Sequence, residues 1–270
     1  MIKDAFTREI SIIDTLHKGD KGMSVKHVQE WLCLSALLFP AASVVVFIDG
    51  QFGPATERAV KNLQRAMNLP LTGEVTPTFF EQLTQPMRLA FGPVQAGGNI
   101  RDQIVTIARR HLTQRASELQ TGAGQNLGPW VRAYCDGHEG SLFLWCMGFA
   151  QTILDQVATA NKRRFTNIMP RSLSCDVVAT TGRLNGRFIS NSEIRQDPQL
   201  ARPGDLFLIR RPTKTLDWFH TGIITSVDQE VFETIEGNTN EQSSNNGTSV
   251  FARVRNFRKA IIDVYQTEGL

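Results

Sequence analysis

A cysteine sits where an apolar approach becomes the most apolar helical pattern of the chain, SLFLWCMGFAQTIL from Ser141 to Leu154. Free cysteine packs as a small hydrophobe, but a helix N-terminus also lowers a thiol pKa and favours the nucleophilic thiolate. A thiol nucleophile needs a base within hydrogen-bond reach, and the base needs a third group to fix its tautomer. The histidines are His17, His27, His111, His138 and His220. His17 and His27 belong to the amino-terminal region. His111 lies among arginines on an amphipathic helix, where a solvated face is expected, and His138 sits in the turn-like CDGHEG. His220 opens HTGIITSV just after an irregular loop, so its ring can project from a strand end. The next strand closes in EGNTN, with Glu236 and Asn238 two apart and on one face of an extended chain. A hairpin across Asp228-Gln229 sets that end beside His220. The set is Cys146 as candidate nucleophile, His220 as candidate base, and Glu236 or Asn238 as the group that orients the ring. Taken singly, each has a structural alternative: core filler, strand-end histidine, turn residues. Together they follow the logic of a cysteine hydrolase.

The elements that must position these residues are legible from hydrophobic periodicity. Ser24 can cap a helix carrying Val25, Val28 and Leu32; TERAVKNLQRAM repeats the pattern with Val60, Leu63 and Met67; Thr76-Pro77 opens a last helix with Phe80 and Leu83. Asp49-Gly50 and Thr72-Gly73 punctuate the joints. PMRLAFGPVQAGGN, from Pro86 to Asn99, reads as a linker on its prolines and paired glycines. An amphipathic helix follows from about Ile100, and then a polar, glycine-rich stretch leads to the Cys146 helix, which runs to roughly Asn161. From Pro203 the pattern changes to short β-branched and aromatic runs: DLFLIRR, HTGIITSV, EVFETIEG, SVFARVR and IIDVYQ. Helices followed by an antiparallel run of strands indicate an α+β fold.

Composition bounds the function. The chain has 270 residues, 41% hydrophobic and 20% charged, with a formal net charge of +3. Those are the values of an ordinary globular protein, and the charge is too mild for a nucleic-acid signature. The clusters NKRRF and RNFRK are short and read as solvated faces. The apolar run Leu34–Ile48 is interrupted by Pro40 and too short for a membrane span, so a buried hairpin-like connection is expected. The amino terminus lacks the long apolar core of a secretory signal. Cys33, Cys135, Cys146 and Cys175 are too sparse for a disulfide scaffold, and no C-x-x-C pair suggests zinc or redox work. There is no H-E-x-x-H, and the acidic residues near Asp136 do not make a calcium loop. No metal or cofactor is expected.

At this point the residues resemble known families. GPWVRAYC…LFLWCMGFAQTIL, ARPGDLFLI, FHTGIITSV and TIEGNTN together resemble the CHAP family of cysteine amidases and peptidases, relatives of the NlpC-type wall hydrolases. The matching positions are Trp145, Cys146, Gly148 and Phe149; Pro203, Gly204 and Asp205; His220 and Gly222; and Glu236, Gly237 and Asn238. HKGDKGMSVKHVQEWL, DGQFGPATERAVKNLQ and LPLTGEVTPTFFEQL resemble the peptidoglycan-binding type 1 domain. The resemblance implies a small three-helix wall-binding bundle over residues 12–86, a linker at 87–98, and a papain-like α+β catalytic domain with an antiparallel sheet over residues 99–267. The two halves are expected to separate at the linker. The implied function is cleavage of an amide in the peptide part of bacterial peptidoglycan through Cys146, His220, Glu236 and Asn238, by a phage endolysin or a secreted lytic effector. Such a protein is expected to be a monomer made in the cytoplasm without a signal peptide, to act at the cell wall, and to need neither nucleic acid nor membrane insertion. The alternatives are a non-catalytic wall-anchoring protein and a zinc peptidase.

Overall fold

The structure, a computed structural model, describes residues 2–122, 124–214, 216–240 and 246–270. The amino-terminal region carries helices α1 (Met23–Ser35), α2 (Pro54–Ala66), α3 (Pro77–Leu83) and the short α4 (Gln85–Ala90). Prolines open α2 and α3, where the missing N–H is one that a helix leaves unpaired anyway. The Thr76 hydroxyl caps α3 by accepting from the Phe79 N–H. α1 begins two residues earlier than a Ser24 cap implies and is preceded by Gly22, with no side-chain cap. Val25, Val28, Leu32, Val60, Leu63 and Phe80 are buried between the helices.

Two buried glutamines tie the joints between these helices. The Gln29 amide donates to Asp49 Oδ1 at 2.8 Å and to the Gln51 carbonyl at 3.0 Å, and its oxygen accepts from the Gly50 N–H. Gln64 does the same for the Thr72–Glu74 turn, donating to Thr72 Oγ1 and the Glu74 carbonyl and accepting from the Gly73 N–H. Buried amides fully partnered in this way make a loop conformation specific rather than merely compact.

Two expectations are corrected here. The Leu34–Ile48 run is not a buried connection: beyond the end of α1 it winds over the surface, with Leu37, Leu38, Val45 and Phe47 exposed. Pro40 lacks the N–H that a paired strand would use, and beyond α1 Val44 is the residue of this run that stays buried. The span expected to be a linker is helical as far as Ala90, with Met87 and Ala90 buried. Phe91 then stacks on Phe6 with ring centroids 4.3 Å apart.

The rest of the chain adds α5 (Ile100–Thr113), α6 (Pro129–Tyr134), α7 (Cys146–Ala160), α8 (Cys175–Leu184) and α9 (Asn191–Gln196). Its strands are β1 (Phe188–Ile189), β2 (Leu206–Arg210), β3 (Trp218–Asp228), β4 (Val231–Thr239), β5 (Ser249–Asn256) and β6 (Ile261–Tyr265). They form one antiparallel sheet in the order β1-β6-β2-β3-β4-β5. The β3–β4 hairpin turns at Asp228, which pairs with Val231, as the sequence indicates. α7 packs across β3 and β4 on one face, backed by α5. Every residue of α7 from Cys146 to Ala158 is buried, its polar Gln151, Thr152, Asp155 and Gln156 included. The opposite face of the sheet buries Phe207, Ile224, Phe232 and Ile262 with Ile194 of α9.

One hydrophobic core runs from Val28 and Trp31 of α1 through Trp130 of α6 to α7 and the sheet. Trp31 and Trp130 meet edge to face at 6.3 Å. Beside them the Arg132 guanidinium is shared by Glu9, Glu30 and Glu139 at 2.6–2.8 Å.

Candidate functional site

Cys146 is the first residue of α7, following Trp145. Its N–H is therefore among those with no intrahelical partner. Trp145 stacks on Tyr134 of α6 with centroids 5.5 Å apart. Gly148 makes that approach possible: a Cβ there would lie 2.4 Å from the Tyr134 carbonyl oxygen. The start of α7 is thus wedged between α6 and the sheet, and the thiol is held against β3.

His220 lies on β3, fully buried, with Nε2 2.8 Å from Oε2 of Glu236 on β4. The other ring nitrogen, Nδ1, is buried and makes no hydrogen bond among the described residues, so it is the one left for the thiol. Two glycines clear this space. A Cβ on Gly222 would come within 2.8 Å of Glu236 Cγ, and one on Gly237 within 2.7 Å of Phe149 Cβ on α7. The first lets the carboxylate lie across the hairpin, and the second lets α7 sit directly on β4. Glu236 is secured from its other side by the Arg255 guanidinium, which engages both carboxylate oxygens, and by the Thr234 hydroxyl, which donates to Oε1.

The charges are mutually dependent. The Cys146 thiol is held well below its ordinary pKa, first by a hydrogen bond from Cys175 and then by His220 and the Thr221 N–H, against the opposing effect of burial. Burial also opposes a charge on His220, but the Cys146 and Glu236 contacts outweigh it and raise the imidazole to about 9. Burial disfavours the Glu236 carboxylate too, and Arg255 followed by His220 overcomes it and holds that group at about 2. A thiolate, an imidazolium and a carboxylate in sequence, with an arginine behind the last, is an arrangement suited to nucleophilic attack followed by proton delivery.

Asn238 does not join this line. It is fully buried with φ 55°, and its side-chain amide has no hydrogen-bond partner among the described residues. The register between β4 and β5 shifts between Glu236 and Thr239. The alternation expected to put Glu236 and Asn238 on one face is broken by that irregularity. His111 also differs from expectation. It is fully buried, with Nδ1 2.8 Å from Tyr134 Oη and Nε2 2.8 Å from Gln156 Nε2, and burial lowers its pKa to about 3. His138 is exposed and stacks on Phe143.

Two members of the site escaped the sequence reading. Arg255 belongs to the cluster read as a solvated face, yet it anchors Glu236, while its apolar neighbour Val254 is the exposed one, so the alternation of FARVRN points the wrong way. Cys175 is the first residue of α8, capped by Ser174. Nothing in the sequence brings it to Cys146, because a long, mostly non-repetitive connection separates them.

A cleft of about 690 Å³ opens over the thiol, lined by Leu144, Cys146, Cys175, Asp176, Arg211 and Trp218 among others. The Trp218 backbone N–H donates to Asp176 Oδ1 at 2.6 Å and its indole N–H to Asp263 Oδ2 at 2.7 Å, so its ring is fixed as part of the wall. Away from the cleft, Glu9, His27 and Glu30 bring ligand atoms within 4.8 Å of one another. Arg132 already neutralises both carboxylates. No described helix is long and apolar enough to cross a membrane.

Comparison with known proteins bears on the amino-terminal region. The zinc D-Ala-D-Ala carboxypeptidase of Streptomyces albus G is 35% identical over 71 residues, which is 26% of this chain and 26% of that protein. The likeness lies in the wall-binding domain that the two have in common, and this chain therefore spans about a quarter of that relative's length. Residues 21–83 match the family described as a putative peptidoglycan binding domain, and the amino-terminal region carries a domain of that family.

Proposed function

We propose that the chain is a cysteine-dependent peptidoglycan hydrolase that cleaves an amide in the peptide part of the wall, with a papain-like catalytic half of the CHAP type. The observation that carries this reading is the buried Cys146–His220–Glu236 line opening on a cleft, in a chain that also bears a peptidoglycan-binding domain.

Cys146 Sγ attacks the carbonyl carbon, and the unpaired N–H groups at the start of α7 receive the developing oxyanion. The His220 imidazolium delivers its proton to the departing amine, leaving a thioester. Neutral His220 then takes a proton from water, which attacks the thioester and restores the thiol pair. Glu236 stabilises the imidazolium throughout, and Arg255 keeps Glu236 ionised and in place.

Mass spectrometry of soluble fragments from purified sacculi tests the reading. The expected result is release of fragments with a new free amine and carboxylate at one peptide bond, abolished in Cys146→Ser. No release by the native chain, with sacculi still bound, would leave a wall-anchoring role.

A further inference from the structure

Cys175 forms and breaks no bond in that reaction, yet it borders the same cleft as the nucleophile. Cys146 and Cys175 begin α7 and α8, and both line the same cleft, with relative exposures of 2% and 6%. Their segments approach closely at Gly148, where a Cβ would meet Leu173 Cδ2 at 3.1 Å, two residues before Cys175. Both thiols face that cleft, and the strongest influence on the charge of each is the other. Cys135, the other buried thiol near Cys146, is pushed up to about 12 by burial.

We propose that Cys146 and Cys175 form a two-thiol modification site that small-molecule disulfides convert reversibly into an intramolecular disulfide. In the first step the Cys146 thiolate attacks one sulfur of R–S–S–R. A Cys146 Sγ–S bond forms, the original S–S bond breaks, and its electron pair leaves on R–S⁻, which takes up a proton. In the second step Cys175, its proton given to solvent, attacks Cys146 Sγ and expels the second R–S⁻. The chain loses two protons and two electrons in all, and the reagent leaves as two thiols.

The order of events follows from the charges. The Cys175 thiol is held well above its ordinary pKa, first by donating to Cys146, then by burial and by the negative charge of Cys146. Mixed-disulfide formation removes that negative charge, so the first step activates the thiol that performs the second. The oxidised chain has no thiolate at Cys146, and reduction restores it. Only the consequence for wall cleavage rests on the function proposed above; the thiol chemistry does not.

The test exposes the full-length chain to 2-hydroxyethyl disulfide and follows intact mass and peptide maps. The expected product has lost two hydrogens, links the peptides of Cys146 and Cys175, and reverts with dithiothreitol. Cys175→Ser and, as a second variant, Cys175→Ala should instead retain a mixed disulfide on Cys146, while Cys135→Ser should behave as the native chain. A stable mixed disulfide on the native chain, a Cys146–Cys135 link, or no reaction at all would overturn the proposal. These masses are read without peptidoglycan, so a reduced chain that cleaves no wall but still forms the disulfide would count against the hydrolase alone.

Discussion

At Glu236 three side chains, His220, Thr234 and Arg255, converge on one carboxylate, and its charge sets the state of the thiol two side chains away. Glu236→Gln keeps the shape but removes the charge that holds the imidazolium. Cys146 should then become alkylatable only at higher pH, by a unit or more, whereas Asn238→Ala should leave the titration unchanged; the pH dependence of iodoacetamide reaction distinguishes them. Cleavage should be flat through neutral pH and fall as pH rises through about 9, where His220 loses the proton it must deliver. A second titration concerns stability. Native His111 stays neutral down to about 3, while the unfolded chain takes up its proton near 6.5. Below pH 6.5 the unfolded state therefore binds more protons, and stability falls until pH 3, by on the order of a few kcal/mol. His111→Gln should flatten that slope in urea titrations at stepped pH. The sequence made His220 and Glu236 legible because a hairpin fixes them relative to each other. It hid the burial of His111, because a helical face flanked by Arg109 and Arg110 looks solvated until α7 is packed against it.

Elements explain why these residues meet. Gly222 and Gly237 are the two positions at which the hairpin accepts, respectively, its own carboxylate and the helix that carries the thiol. Gly237→Ala should push α7 off β4, costing about 1–3 kcal/mol as overpacking does, and should lower kcat/KM by a larger factor than that loss of stability alone would produce. Urea denaturation and single-turnover cleavage give the two numbers. The strands and the main helices follow from periodicity, and four of the five expected strand segments overlap β2, β3, β4 and β5 while the fifth is β6. The short elements α6, α8 and β1 did not announce themselves. Six residues of α6 make too little periodicity to read, and the two of β1 make none; both are held by contacts distant in sequence. Cys175 and Arg255 were missed for the same reason, since their importance lies in what the fold brings to them.

Across the whole molecule the amino-terminal region is joined to the rest by more than the chain. Trp31 and Phe91 on Trp130, and Arg132 among Glu9, Glu30 and Glu139 form a continuous seam. Arg132→Ala would leave Glu9 and Glu30 buried without their counter-charge, and a loss of about 3–5 kcal/mol is expected. Calorimetry of the native chain should give a single transition, and residues 98–270 produced alone should fail to reach the native state. The sequence reading expected two halves separable at the glycines, because Gly97 and Gly98 are visible in a sequence whereas a buried seam between Glu9, Glu30 and Arg132 is not.

That seam has a mechanical consequence on the proposed function. A catalytic head on a flexible leash can sweep every bond within the leash's radius while its anchor stays put. Here the cleft stands at a fixed offset from the gripping surface, like the jaw of a caliper. Each grip presents only those bonds that lie at that offset, and the next cut requires letting go. Tighter attachment to the wall would then slow repeated cutting rather than speed it.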